Sequence, residues 1–556
     1  MRGRTRGMVA VAITSLALVA TACGGGGTEP EPGAEDPAGQ AGGEIAIRSC
    51  TPENPLVPGN TSEVCGGNVI DAMAAKLVRY DPATAAPSND IAESIESDDN
   101  QTFTVKLKQG YKFHDGTEVK AKNFVDAWNY TAAGKNGQAG SYFYGPVEGY
   151  DDTQCGTNAA GEADCKGKPA KSEKMSGLKV VDDYTFTIKT TEPVSNLPVR
   201  LGYSAFSPLP DSFFADPKAF EEKPIGAGPF QLESKTTTEM VLTKFADYAG
   251  EFKPNVDKVT FRIYAEDSAA YADVVANNLD FTDAIPPDQL VGDAWMTDLP
   301  DRNASVGSGV MAWITFSPND PQLKDNVELR KAISRAIDRE LIAKQVFNGT
   351  VTPAKSWVSP TVDGFKDGAC TEACTFDAAA AKQAYEAAGG YDGTLTMTYN
   401  NDGAGNKEYA EAVCNQVKNN LGLECQAVGT VDFATFNKKI DANELKGMFR
   451  SGWQMDYPSI ENFLTPIYAK GAIGGGGSNF SHYDNPEFDK LLAEAAAAPS
   501  VDEANVLYQK AEALLNVDFP TAPLWARNTN VGWSENVTDV QVTAFGTLDL
   551  VSIKKK

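Results

Sequence analysis

Histidine is almost missing from this 556-residue chain: only His114 and His482 occur. That leaves few imidazoles for zinc sites or for Ser-His catalysis. Basic residues are also scarce, 49 Lys and Arg against 75 Asp and Glu, and the net charge of −26 opposes contact with phosphate backbones or anionic membrane surfaces. Nucleic acid is thereby excluded as a partner. No GxSxG elbow, HExxH helix or GxxxxGK[ST] loop is present, so the signatures of a serine hydrolase, a zinc peptidase and a phosphate cradle are all absent. No internal repeat is visible, which removes the solenoids. Beyond the amino terminus, no apolar run approaches the about 20 residues of a membrane span.

What is present begins at the amino terminus. Arg2, Arg4 and Arg6 precede an apolar run from Met8 to Ala22, too short and too early for a span, so residues 1–22 read as an export signal. The run closes on Ala20-Thr21-Ala22-Cys23. Small residues before a cysteine are what a lipoprotein signal peptidase requires, so Cys23 is expected to carry lipid. From Gly24 to Gly43 the chain offers glycine, proline and acids but no large apolar side chain, and it cannot form a core. Residues 23–43 are therefore a flexible leash with a reach of roughly 25 Å. The folded body is expected at the extracellular face of the cell membrane, held by lipid and not by charge.

Eight further cysteines, Cys50, Cys65, Cys155, Cys165, Cys370, Cys374, Cys414 and Cys425, fall into four sequence-local pairs spaced by 15, 10, 4 and 11 residues. Nearest-neighbour disulfides in an oxidising exterior fit this spacing, whereas a metal cluster lacks both a CxxC knuckle and a nearby histidine.

Thr102 to Lys108 and Tyr184 to Lys189 alternate as half-buried strands do, Asn123 to Tyr130 has the pattern of a short helix, and Cys155 to Cys165 brackets a polar excursion. These features point to an inserted subdomain. Asn326 to Phe347 places Leu329, Ile333, Ile337 and Leu341 four apart, which predicts one amphipathic helix. Helices are also expected over Asp377 to Ala388, Lys407 to Leu421, Glu487 to Ala497 and Asp502 to Leu515, with a strand over Leu395 to Tyr399. Alternating helices and strands make an α/β protein of two lobes. Lobe I would span 44–307 with the insertion at about 68–200, lobe II 308–521, and 522–556 would return to lobe I.

Six segments occur in a telling order: Tyr111-Lys112-Phe113-His114-Asp115-Gly116, Asn123-Phe124-Val125-Asp126-Ala127-Trp128, Gly226-Ala227-Gly228-Pro229-Phe230, Arg330 to Arg339, Gly452-Trp453-Gln454-Met455-Asp456-Tyr457-Pro458, and Tyr483-Asp484-Asn485-Pro486-Glu487-Phe488-Asp489. With them the chain resembles, over nearly its whole mature length, the oligopeptide- and dipeptide-binding proteins of ABC importers, solute-binding protein family 5. The resemblance implies a two-lobed, type II periplasmic-binding-protein-like fold with an extra subdomain in lobe I. It implies a monomer without cofactor or metal that binds and does not catalyse. A peptide would enter the cleft, the lobes would close on it, and the permease subunits in the membrane would recognise the closed form.

By the same resemblance Asp456 matches the aspartate that pairs with a ligand's α-ammonium, and Trp453 lines the path of the peptide. Arg450 stands where some members hold the ligand's carboxylate, and Tyr142 offers a ring from lobe I. Val64 falls near the segment whose backbone extends a bound peptide as an added strand. The residues themselves leave other uses open: Asp456 could cap a helix through Pro458 to Phe463, Trp453 could be core, and Arg450 could be a solvated surface residue. Met455 replaces the usual small residue before the aspartate, so side-chain pockets are expected to differ. Members of such families also carry metal complexes, haem, oligosaccharides or signalling peptides, and a secreted hydrolase using a carboxylate pair is the remote alternative.

Overall fold

The computed structural model describes residues 42–61, 63–157, 163–401, 405–431, 433–473 and 477–556. The export signal, Cys23 and the leash through residue 41 lie outside the described residues. Six elements position the site: helix α1 (Val64–Met73), strand β1 (Asn303–Phe316), helix α2 (Asn406–Leu421), strand β2 (Met448–Gln454), helix α3 (Glu461–Tyr468) and strand β3 (Thr521–Trp533).

Among the described residues the largest sheet has eleven strands. Its order is Cys425–Thr430, Leu395–Asn400, β2, β1, β3, Phe281–Thr282, Glu44–Ser49, Lys258–Ile263, Glu239–Lys244 and Phe230–Lys235, with Val351–Pro353 added on β3. Parallel pairs at both ends, Leu395–Asn400 on Cys425–Thr430 and Glu44–Ser49 on Lys258–Ile263, give each lobe its own α/β half. The antiparallel strands β1, of 14 residues, and β3, of 13, run through both halves. Their register shifts between Gly307 and Met311, at the lobe boundary expected from the sequence. The return to lobe I is part of β3, which starts beside Thr315 in lobe II and ends beside Phe281 in lobe I.

The inserted subdomain is a four-stranded antiparallel sheet, Ala92–Glu96, Thr102–Leu107, Thr185–Lys189 and Leu178–Asp182, covered by the helix Ala121–Ala132. Phe124 stacks on Phe186 at 5.7 Å and the Trp128 indole donates to the Phe206 carbonyl at 3.0 Å. Because Phe213, Phe220, Phe245 and Tyr248 pack into the same core, the subdomain reaches past the expected limit near residue 200. The glycines of the 226–230 segment serve close approach: a Cβ on Gly226 would stand 1.9 Å from the Met73 carbonyl oxygen at the end of α1.

The single helix expected over Asn326 to Phe347 is instead two, Val327–Arg335 and Arg339–Gln345. Asp338 breaks it, because its carboxylate accepts from the Leu341 N–H at 2.9 Å and starts a new helix; Leu341 turns to solvent with 41% exposure. The four disulfides join nearest neighbours: Cys50–Cys65, Cys155–Cys165, Cys370–Cys374 and Cys414–Cys425. The first fastens the start of α1 to the end of strand Glu44–Ser49.

Glu512 lies buried in the helix Val501–Asp518, where one carboxylate oxygen takes the Ser356 hydroxyl and the Trp357 N–H at 2.9 Å. The other oxygen has no partner among the described residues, and burial pushes the acid up to about 7. An acid whose folded pKa is raised holds a proton that the unfolded chain has released, so it weakens the fold as pH rises from about 4.5 through 7. Thermal melts should therefore find Glu512→Gln unchanged at pH 4 and more stable by about 3 kcal/mol at pH 8; equal stability at pH 8 would refute the assignment. No helix among the described residues is long and apolar enough to cross a membrane, and no group of three His, Cys, Asp or Glu among them is placed to hold a metal ion.

Candidate ligand-binding site

Asp456 lies two residues past the end of β2, and α3 returns beneath it. The side chain of Asn462 on α3, 1% exposed, ties the turn together. Its carbonyl oxygen accepts from the Trp453 indole at 3.0 Å and from the Asp456 N–H at 2.9 Å, while its amide donates to the Asp456 carboxylate at 3.1 Å. One buried asparagine thus sets both residues singled out for ligand contact. Asp456 does not cap a helix, because α3 begins only at Glu461 after Ile460. Burial pushes its carboxyl up to about 6; the Asn462 amide and Arg200 oppose this, and Glu461 adds to it. A desolvated carboxylate with a single side-chain donor is suited to receive a cation.

Asp456, Gln454 and Met455 form the lobe II wall of a cavity of about 780 Å³. Opposite them α1 presents Val64, Gly67, Asn68, Asp71 and Ala72, the 3.6-residue spacing of one helix face. Tyr80 and Tyr203 of the subdomain and the tail from Thr543 to Val551 complete the enclosure. Val64 is 43% exposed on this wall and opens a helix whose cap is Glu63. The backbone at Val64 is therefore not an extended edge, and the added-strand expectation is not met at this position.

Tyr142 caps an aromatic stack, with ring centroids 4.2 Å from Phe143, which in turn sits 4.4 Å from Tyr203. Partial burial and then the Asp456 charge push the Tyr142 and Tyr203 hydroxyls up, so these lobe I rings lie within electrostatic reach of the lobe II carboxylate. Arg450 is not on the cavity wall. It lies six residues before Asp456 on β2, roughly 20 Å along the strand, and shares the face of Gly452 and Gln454. It is a half-buried residue, not a solvated one: its guanidinium donates to the Asn400 side chain at 2.6 Å and lies 5.7 and 5.8 Å from the rings of Phe433 and Phe436.

The sequence reading missed the contact that joins the lobes beside this site. Arg200 of lobe I pairs with Glu461 of α3 at 3.1 Å, and Glu461 also accepts from Asn196 at 2.9 Å and from the Tyr457 hydroxyl at 2.7 Å. Glu461 is 3% exposed. Burial raises this acid, but Arg200, Tyr457 and Asn196 outweigh it and hold the carboxyl below its usual value. A charged residue between Ile460 and the apolar pair Phe463-Leu464 was the available signal, since a buried glutamate requires a partner.

Residues 86–475 match the family described as bacterial extracellular solute-binding proteins, family 5 Middle. The chain belongs to that family. Family 5 comprises the solute-binding proteins of oligopeptide and dipeptide ABC importers, which are transport binding proteins and not enzymes. Among its members the chain is 26% identical over 95% of both chains to the oligopeptide-binding protein OppA of Bacillus subtilis. It is 26% identical over 79% of both chains to the periplasmic oligopeptide-binding protein OppA of Salmonella typhimurium. The murein tripeptide binding protein MppA of Escherichia coli superposes with a TM-score of 0.73 at 21% identity, over 93% of this chain and 99% of that one. Haemophilus influenzae OppA in complex with RPPGFSPFR gives a TM-score of 0.70 at 22% identity over the same shares. These likenesses establish the two-lobed type II family 5 fold.

Proposed function

We propose that this protein captures oligopeptides between its lobes, grips their free amino terminus with Asp456, and hands them unchanged to the permease subunits of an ABC importer. The observation that carries the reading is the Asp456 carboxylate itself, raised to about 6 and bordering a cavity of about 780 Å³. An α-ammonium supplies the counter-charge that one amide donor does not. Tyr80 and Tyr203 on the cavity wall offer flat surfaces that pack varied side chains with little selectivity, while Trp453 and Tyr142 stand behind the wall. By the family resemblance Arg450 would meet the carboxylate of a longer peptide; its guanidinium lies off the cavity wall, beside Asn400. The relatives named for oligopeptide binding support the same ligand class. β1 and β3 serve as the hinge, and no cofactor takes part. Lipid on Cys23 keeps the monomer at the outer face of the membrane.

Calorimetric titration with tri- to pentapeptides tests the reading. Free peptides should bind one to one, and N-acetylation, which removes the cation, should weaken them at least about 30-fold. Equal affinity for both forms, or no binding at all, would sink the amino-terminal grip. A relative named heme-binding protein A, from Haemophilus influenzae, is 24% identical; a copurifying haem or oligosaccharide in the mass spectrum would replace the peptide ligand, and released hydrolysis products would restore the enzyme alternative. Fatty-acid labelling should mark the native chain and disappear in Cys23→Ser, and an unlabelled native chain would overturn the anchor.

A further inference from the structure

Nine charged side chains line the cavity, and seven of them have a charged or backbone partner of their own. Arg48 pairs with Asp283 at 2.8 Å and Lys76 with Asp71 at 3.2 Å. Three further acids turn to backbone N–H groups: Glu63 accepts from Gly66 at 2.9 Å, Asp81 from Thr84 at 2.8 Å and Asp549 from Ser552 at 3.1 Å. Two remain. The Asp456 carboxylate meets only the Asn462 amide, and Arg79 has no carboxylate within 4.0 Å among the described residues.

Arg79 stands on the strand Val78–Tyr80, half-buried, with its guanidinium over the Phe252 ring at 4.4 Å. Phe252 is itself on the cavity wall. The Tyr248 hydroxyl lies beside Arg79, and the Asp90 carboxyl, within its electrostatic reach, already takes the Tyr111 hydroxyl at 3.2 Å. A ring behind a guanidinium holds its plane while the N–H edge stays open to an anion. Tyr80, the next residue along the strand, is within reach of the Asp456 charge, so the two unmatched poles border one enclosure.

We propose that Arg79 receives the terminal carboxylate of a short peptide whose ammonium rests on Asp456, so that the cavity reads both ends of its ligand. This rests on the peptide reading above. One acid and one base left unmatched in the same cavity are the complement of a ligand with one free charge of each sign. Each pole gains a charge-assisted hydrogen bond from such a zwitterion, and a ligand with one end blocked leaves the other pole desolvated and unpaired. The carboxylate is thus held from lobe I, while Arg450 of lobe II lies off the wall and does not serve ligands short enough to fit inside.

Calorimetry on the native protein should find the free acids of tri- and tetraalanine at least about tenfold tighter than their C-terminal amides. In Arg79→Gln that ratio should fall to about one, and in Arg450→Gln it should persist. Equal binding of acid and amide to the native protein, a ratio that survives Arg79→Gln, or one that vanishes in Arg450→Gln would each overturn the Arg79 pole while leaving the amino-terminal grip intact. The amide of Ala-Glu-Ala separates the sources of the anion. If its side-chain carboxylate restores the affinity of the free acid and Arg79→Gln removes that gain, Arg79 reads side chains and not chain ends, and the proposal fails. Failure of every peptide to bind would overturn both the Arg79 pole and the peptide ligand. The Arg450→Gln comparison decides the matter even if Arg79→Gln does not fold.

Discussion

Asp456→Asn should lose at least about 100-fold in affinity for free peptides and at the same time melt at a higher temperature than the native protein. Both effects have one cause. Held up to about 6 by burial, the carboxylate is ionised at pH 7 at a cost that only a bound cation offsets. In the unliganded protein the folded state binds a proton the unfolded chain has lost, so Asp456 weakens the fold as pH rises from about 4 through 6. Asparagine removes that cost while still accepting the Asn462 amide, and the gain at pH 7 should be about 3 kcal/mol. Native affinity should in turn fall about tenfold per pH unit below 6, because only the ionised form holds an ammonium. An Asp456→Asn variant that binds as well as the native protein, or that is less stable without ligand, would contradict this account.

Glu461→Ala should be the most damaging single change near the cleft, about 3 to 5 kcal/mol in urea denaturation. It leaves the Arg200 guanidinium buried without a counter-charge and removes the acceptor of both Asn196 and Tyr457. Replacing both partners, Arg200→Met with Glu461→Leu, should recover much of the loss, since two apolar groups avoid the unpaired charge. Because the folded Glu461 carboxyl sits below its usual value, its contribution is present above the unfolded pKa and fades as pH falls through the lower folded one. Glu461→Gln should accordingly narrow its stability deficit between pH 6 and pH 3. A double variant no better than Glu461→Ala would show that packing, and not charge compensation, is what this contact contributes.

The hinge follows from how these contacts are distributed. The Arg200 contact and the hydrogen bonds of Ser195 to the Ala495 and Ala496 carbonyls lie between the subdomain and lobe II. The strands β1 and β3 pass between the lobes with a shifted register at the crossing. In the proposed capture cycle, opening the cleft would bend two strands at a bulge and separate one buried charged cluster. It would leave each lobe's core intact.

Much could be read along the chain because it is local in cause. A run of small residues before Cys23, cysteines a few residues apart, a periodic run before Gly389 and a Gly-Trp-Gln-Met-Asp segment each state their chemistry within one stretch of chain. The same locality misled where a local pattern had two outcomes: Leu341 keeps helical spacing with Ile337, yet Asp338 between them restarts the helix. Val64 likewise lies on the cleft wall, but as the first turn of a helix.

Composition and local pattern by themselves pointed to export, two α/β lobes and the four disulfide pairs, and it was the resemblance to the family that singled out Asp456. Tertiary structure alone decided what makes Asp456 useful. Asn196 and Glu461 meet across 265 positions. Charge and burial depend on which groups the folded chain excludes from water, and that is set by distances in space that no spacing along the chain encodes.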